Sequence, residues 1–326
     1  MIRLSLIGEE YPCVKALFDG TVRAEGIELA VTRSPSPEAM RRQLTRWEFD
    51  ICEMAFGAYL IARAQGADVV LLPAFPRRAF FHTQFACRVD AGIDTPGAFA
   101  GKRIGVAEYV QSATLWARGI LQTDFGMDPS RATWYVERAA SGSTGAVLGF
   151  RPPECIDVRQ TPGGKSIAAM LEAGELDAAL VGSMAQAAPD IQARAGVLPL
   201  FSDATAEADR FVRVHGYVPA NHAYMIRGAL VREHPGLAAR LMQGFTDAVT
   251  HARSALPHGT GPAALFGNDH LARACETLPS DLFAYGVNAN RAMLETVLDL
   301  ARSQGLVCER PGVGDLFVSA STSEAG

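Results

Sequence analysis

Four short stretches of this 326-residue chain gather side chains suited to proton transfer on a small anion. Glu48–Met54 carries Glu53 at the carboxyl end of a predicted strand, where the acid could face a cleft or cap a helix. Pro73–His82 sets two adjacent arginines, Arg77 and Arg78, ahead of Phe80, Phe81 and His82. Guanidinium groups clamp carboxylates with paired hydrogen bonds, and aromatic faces pack on planar rings. Read as a strand, that segment puts Arg78, Phe80 and His82 on one face. Gly105–Thr114 runs from a strand into a helix, with Glu108 and Tyr109 ahead of Ser112 and Thr114. The unpaired N–H groups and dipole of a helix start suit an anion, and the hydroxyls add donors. Val218–Ala223 carries His222, and histidine titrates near neutrality. The plainer reading of each stretch is solvated arginines, core histidines and an ordinary capped turn.

These residues need elements to hold them. Ile2–Ile7, Ile27–Thr32, Phe49–Glu53 and Val69–Leu72 read as strands, with helices at Pro37–Trp47 and Gly57–Gln65. A second set follows Gly101: strands at Arg103–Val106, Thr133–Val136, Cys155–Val158 and Ala178–Val181, and helices at Ser112–Gln122 and Lys165–Ala173. Ser112 is the expected N-cap, and Gly174 the expected glycine after a helix. Such alternation predicts right-handed βαβ units on mainly parallel sheets. The last third reads as helical at Pro235–Arg253, Pro262–Glu276 and Ala289–Gln304, before a disordered tail at Ser319–Gly326. Two longer β-like stretches, Phe80–Val89 and Tyr217–Ile226, stand where the chain would leave one lobe and return. The expected architecture is therefore α/β and two-lobed. Lobe 1 takes residues 1–88 and 224–326, lobe 2 takes 89–223, and a ligand cleft lies between them.

Composition narrows the function. The net charge is −5 and no Lys/Arg block is present, so nucleic acid is not an expected partner. Attraction for an anion must come from local arginines and histidines. No apolar run is long enough for a bilayer, and the N-terminal one is too short for a signal peptide. The six scattered cysteines contain no C-x-x-C pair. Both points lead to the expectation of a cytoplasmic protein without disulfides. Gly163-Gly164-Lys165-Ser166 fails as a phosphate loop because Arg159 stands where the first glycine belongs. No dinucleotide fingerprint, nucleophile elbow or H-E-x-x-H occurs. No cofactor is predicted, although His82, His222, Glu53 and Glu108 could form a divalent metal site. A homo-oligomer is the default for such a chain.

The sequence resembles the 4,5-dihydroxyphthalate decarboxylases of the type II periplasmic-binding-protein superfamily. The resemblance is carried in order by Glu48–Met54, Pro73–His82, Gly105–Leu121, Met170–Ala178, His222 and Tyr285–Glu295. Its more specific motifs are Phe75-Pro76-x-Arg78-Ala79-Phe80-x-His82 and Glu108-Tyr109. It implies a two-lobed fold and decarboxylation of a hydroxylated aromatic acid such as 4,5-dihydroxyphthalate. On that reading His82, His222 and Glu108 handle protons. Arg78, Glu53, Phe80, Tyr109, Ser112 and Thr114 bind the substrate. The rival reading is a cytoplasmic or exported solute-binding protein for an aromatic or other small carboxylate, which performs no chemistry.

Overall fold

A computed structural model describes residues 1–181, 196–258, 260–266 and 278–317. Five strands form a first sheet: β1 (Ile2–Gly8), β2 (Ile27–Arg33), β3 (Ile51–Ala55), β4 (Val69–Leu72) and β11 (His222–Arg227), in the order β2-β1-β3-β11-β4. β1 runs parallel to β2 and β3, whereas β11 lies antiparallel between β3 and β4. Every residue of β3 is buried, as expected of a central strand covered on both faces. Glu53 is the one acid in that run.

The second sheet holds β5 (Phe85–Arg88), β6 (Arg103–Val106), β7 (Thr133–Val136), β8 (Asp157–Gln160), β9 (Ala178–Leu180) and β10 (Val197–Pro199), in the order β10-β5-β9-β6-β7-β8. Its β9-β6-β7-β8 part is parallel, and β5 pairs antiparallel with both β9 and β10. The chain has therefore crossed into the second lobe by Phe85 and returned by His222. Hydropathy marks these strands but cannot say which sheet they join; the pairing of Phe85 with Leu180 decides it.

The crossings are less extended than expected. Only Phe85–Arg88 of the first is a strand, and Phe81–Gln84 is a 3₁₀ turn. The return becomes a strand only at His222. Just before these strands the two segments run side by side. Arg78 bridges Ala220, Ala79 N–H donates to Pro219 O at 3.1 Å, and Asn221 N–H donates to Arg77 O at 2.9 Å.

Helices cover both sheets. α2 (Ser36–Arg46) and α3 (Phe56–Ala64) lie close to their expected places. α4 (Ser112–Phe125) is buried from Ser112 to Leu121 and stops at Gly126, whose φ of 68° suits glycine. Within α4, Gly119 leaves no room for a Cβ, which would lie 2.5 Å from Leu300 on the helix Arg291–Ser303. Arg118 ties the same two helices: its Nε–H donates to Gln304 Oε1 at 2.6 Å, and its guanidinium lies 3.8 Å from the Tyr109 ring centre. The Glu108–Tyr109 loop is thus locked to the C-terminal helices.

The helix α7 (Ala204–His215) was not expected. The C-terminal block contains the helices Gly228–Glu233, Leu237–Ser254 and Arg291–Ser303. Most of the helix expected at Pro262–Glu276, and the whole expected tail, lie outside the described residues. The described start, Pro262–Leu265, is a 3₁₀ turn. Among the described residues no helix is long and apolar enough to cross a membrane, and the five cysteines are free thiols.

Candidate active site

Three adjacent strands of the first sheet bring one buried acid and one histidine together. Strand pairing places Tyr224 opposite Glu53 and His222 opposite Ala55. Residues two apart share a face of a strand, so Glu53, His222 and Tyr224 line the same side. The Glu53 carboxylate reaches diagonally to His222, with Oε1 2.6 Å from Nδ1. The same oxygen accepts the Tyr11 hydroxyl at 2.8 Å, and Oε2 accepts the Glu9 N–H at 2.8 Å. Glu53 is fully buried and His222 nearly so, and these hydrogen bonds replace the water that the carboxylate has lost.

Register also explains Gly8. The β1–β3 pairing continues past Ile7–Cys52 to bring Gly8 beside Glu53. A Cβ on Gly8 would lie 3.2 Å from Glu53 Cβ and 3.3 Å from Oε2. The glycine leaves the carboxylate its place.

The chemistry follows from the bonding. A carboxylate on Nδ1 requires the proton there and fixes the ring, leaving Nε2 to take or give a proton. Among the described residues Nε2 has no hydrogen-bond partner. Burial, and then the Glu53 charge, push the phenols of Tyr11 and Tyr224 well above the usual tyrosine range. Both therefore stay protonated at neutral pH, and Tyr11 serves Glu53 as a hydrogen-bond donor. The Tyr224 hydroxyl is buried with no partner among the described residues.

The other expected residues stand apart from this pair. His82 is fully buried, with Nε2 2.8 Å from Glu207 Oε1 and rings of Phe80, Phe201 and Phe211 around it. Its acid continues through Arg210 to Asp124 and His215 and shares no residue with Glu53 or His222. Phe80 packs on Phe211. Arg78 is an internal strut: its guanidinium donates to Val218 O at 3.0 Å, Ala284 O at 3.2 Å and Asn290 Oδ1 at 2.8 Å. Arg78, Phe80 and His82 do not share a strand face, because the backbone turns into the 3₁₀ segment after Phe80.

Glu108 organises the second lobe's loops. Oε1 accepts Ser143 Oγ–H at 2.6 Å, Thr144 Oγ1–H at 3.0 Å and Gly145 N–H at 2.6 Å, and Arg138 donates to Oε2 at 3.0 Å. A cavity of about 240 Å3 opens beside it, lined by Tyr109, Arg138, Ser143, Phe150 and Gln160 among others. The Tyr109 hydroxyl donates to Gln304 O. Ser112 is the first helical residue rather than the cap, which is Gln111, and its Oγ accepts the Gly57 N–H at 3.4 Å. Thr114 bonds back to Gln111. Among the described residues no three His, Cys, Asp or Glu side chains converge as metal ligands.

Sequence reasoning passed over Tyr11, Gly8 and Tyr224, whose roles depend on strand register. It named Arg77 beside Arg78 but gave the carboxylate to Arg78; Arg77 is partly buried and has no hydrogen-bond or ion-pair partner among the described residues. An arginine with no nearby acid in sequence was the one available signal.

No protein-family model matches the chain. The 4,5-dihydroxyphthalate decarboxylase of Comamonas testosteroni is 28% identical over 323 residues, spanning 98% of this chain and 97% of the relative. The enzyme of the same name from Pseudomonas putida is 32% identical over 182 residues, 55% of this chain and 70% of the relative. Among solved structures, the periplasmic aliphatic sulphonate binding protein SsuA of Escherichia coli matches with a TM-score of 0.56 at 13% identity, over 97% of both chains. A putative sulfonate-binding SsuA of Methylobacillus flagellatus matches at 0.54 and 11%, over 97% of this chain and 91% of the other. These likenesses show the fold, a two-lobed type II periplasmic-binding-protein-like one.

Proposed function

Because the chain belongs to the 4,5-dihydroxyphthalate decarboxylase family, and is a carboxy-lyase acting on an aromatic acid, we propose that it decarboxylates a ring-hydroxylated phthalate at the Glu53–His222 pair. The observation that carries this reading is the buried carboxylate holding His222 by Nδ1 while Nε2 has no hydrogen-bond partner among the described residues. His222 stands opposite Ala55 at the carboxyl end of β3, the usual ligand position in open α/β sheets, which supports a substrate seated in the cleft between the lobes.

The reaction consumes one proton and releases one CO2. A hydroxyl para to the leaving carboxylate gives up its proton, and electron density moves into the ring. The carbon bearing that carboxylate takes a proton and becomes tetrahedral. The C–C pair then returns to the ring as neutral CO2 departs, the para oxygen takes back the proton it gave up, and the aromatic system is restored. His222 Nε2 delivers the proton to carbon. Glu53 keeps the imidazole oriented, and Tyr11 with the Glu9 N–H holds Glu53.

The test is CO2 release from 4,5-dihydroxyphthalate by wild type and by His222→Ala. Loss of a proton-transfer group of this kind lowers kcat by about 10²–10⁴. In D2O the wild-type product should carry one deuterium at the vacated carbon. Near-native turnover by His222→Ala would sink the assignment.

A further inference from the structure

We infer that Arg77, and not its neighbour Arg78, binds the carboxylate that the substrate keeps and the product still carries. The inference rests on the decarboxylase reading above. The backbone of Arg77 is fixed from both sides. Pro76 O accepts the Cys13 Sγ–H at 3.4 Å, on the segment that carries Tyr11, and Arg77 O accepts the N–H of Asn221, beside His222. Arg78 anchors the next position through Val218, Ala284 and Asn290. The Arg77 side chain thus starts between the two residues that contact Glu53. Its charge is felt there, because Arg77 works against burial and Glu53 in setting the Tyr11 phenol.

Charge makes this arginine necessary. The surroundings are acidic: Glu53 is buried, and Glu9 lies 3.3 Å from the Tyr11 hydroxyl. Nearby Arg33 is taken by Glu10 at 2.5 Å, and Arg138 is taken by Glu108. A dianion entering this site would meet repulsion without the Arg77 guanidinium, which has no acidic partner among the described residues.

Chemistry says which carboxylate it holds. A cation on the leaving carboxylate would stabilise the ground state and lose its partner as neutral CO2 forms, which raises the barrier. A cation on the retained carboxylate is equally satisfied before and after, so it lowers KM and leaves kcat alone.

The experiment compares wild type, Arg77→Gln and Arg77→Lys on 4,5-dihydroxyphthalate, on 3,4-dihydroxybenzoate, the product that keeps one carboxylate, and on catechol, the same ring with none. Steady-state rates and calorimetric binding are both recorded. Arg77→Gln should raise the KM and Kd for the diacid roughly 10- to 100-fold, the size of a lost charge-assisted pair. Its kcat on the diacid should stay within about threefold of wild type, its affinity for 3,4-dihydroxybenzoate should fall about as far as for the diacid, and its affinity for catechol should stay within about twofold. Arg77→Lys should fall between. A loss on catechol as large as on the acids, no loss on either acid, or a fall in kcat in place of affinity overturns the inference. If wild type binds the diacid without turnover, the decarboxylase reading falls, while the ratio of binding constants still decides the role of Arg77.

Discussion

The Glu53–His222 pair depends on a side chain that is missing. Gly8 keeps open the space that the Glu53 carboxylate occupies, and any added Cβ would press on it from 3.2 Å. Small displacements of a positioning group are costly to catalysis, so Gly8→Ala should lower kcat by about tenfold or more. The melting temperature should barely change, because the neighbour need move only a few tenths of an ångström. An unchanged kcat alongside an unchanged melt would show that the exact seat of Glu53 is unimportant. At this scale the sequence was half legible. Glu53 stood out as an acid in an apolar strand and His222 as a histidine at a crossing, but nothing local joined them, since 169 residues separate the two. Arg77 and Arg78 show the opposite difficulty. Side chains of adjacent residues point to opposite sides, and only the partners of each reveal which is buried.

Elements were legible where burial is uniform. The bounds of β4, β6 and β7 agree with the apolar runs at Val69–Leu72, Arg103–Val106 and Thr133–Val136. α7 was missed because it buries only Glu207, Ala208 and Phe211, too sparse an apolar face to stand out. Yet α7 fastens the outgoing crossing through His82. Burial foremost holds the His82 imidazole below its usual value, against the pull of Glu207. Burial would raise Glu207 and Asp124, but hydrogen bonds from His82 and Arg210 to the first, and from His215 and Arg210 to the second, keep both below the usual range. All three groups bind fewer protons folded than unfolded. Stability from His82 is therefore complete above about pH 6.5 and is lost as pH falls below it, while the carboxylates add their loss below about pH 4.3. The melting temperature should fall between pH 7 and pH 5. His82→Gln, which keeps an N–H for Glu207 but cannot titrate, should show a shallower fall. Equal slopes for the two proteins would refute the role of His82.

Across the whole molecule, the lobes meet where Gly57 faces the loop before α4. A Cβ at Gly57 would come within 2.1 Å of Val110 O, and no rotamer change relieves a clash with backbone. Gly57→Ala should therefore hold the lobes apart. Its kcat/KM should drop about tenfold or more, with unchanged circular dichroism and a larger radius of gyration in solution scattering. Native activity or a native radius would show that this contact is dispensable. The interleaving of the first sheet has a further consequence, for the order in which the protein is made. β11 is inserted between β3 and β4, yet it is synthesised only after the entire second sheet. A nascent chain can complete the second lobe early, but until residue 227 has emerged β3 and β4 lack the strand that joins them. Unpaired edges of that kind invite aggregation. Histidine 222 arrives on that late strand, so the proton-transfer pair is among the last contacts to form, and enzymatic competence doubles as proof that the first lobe has closed.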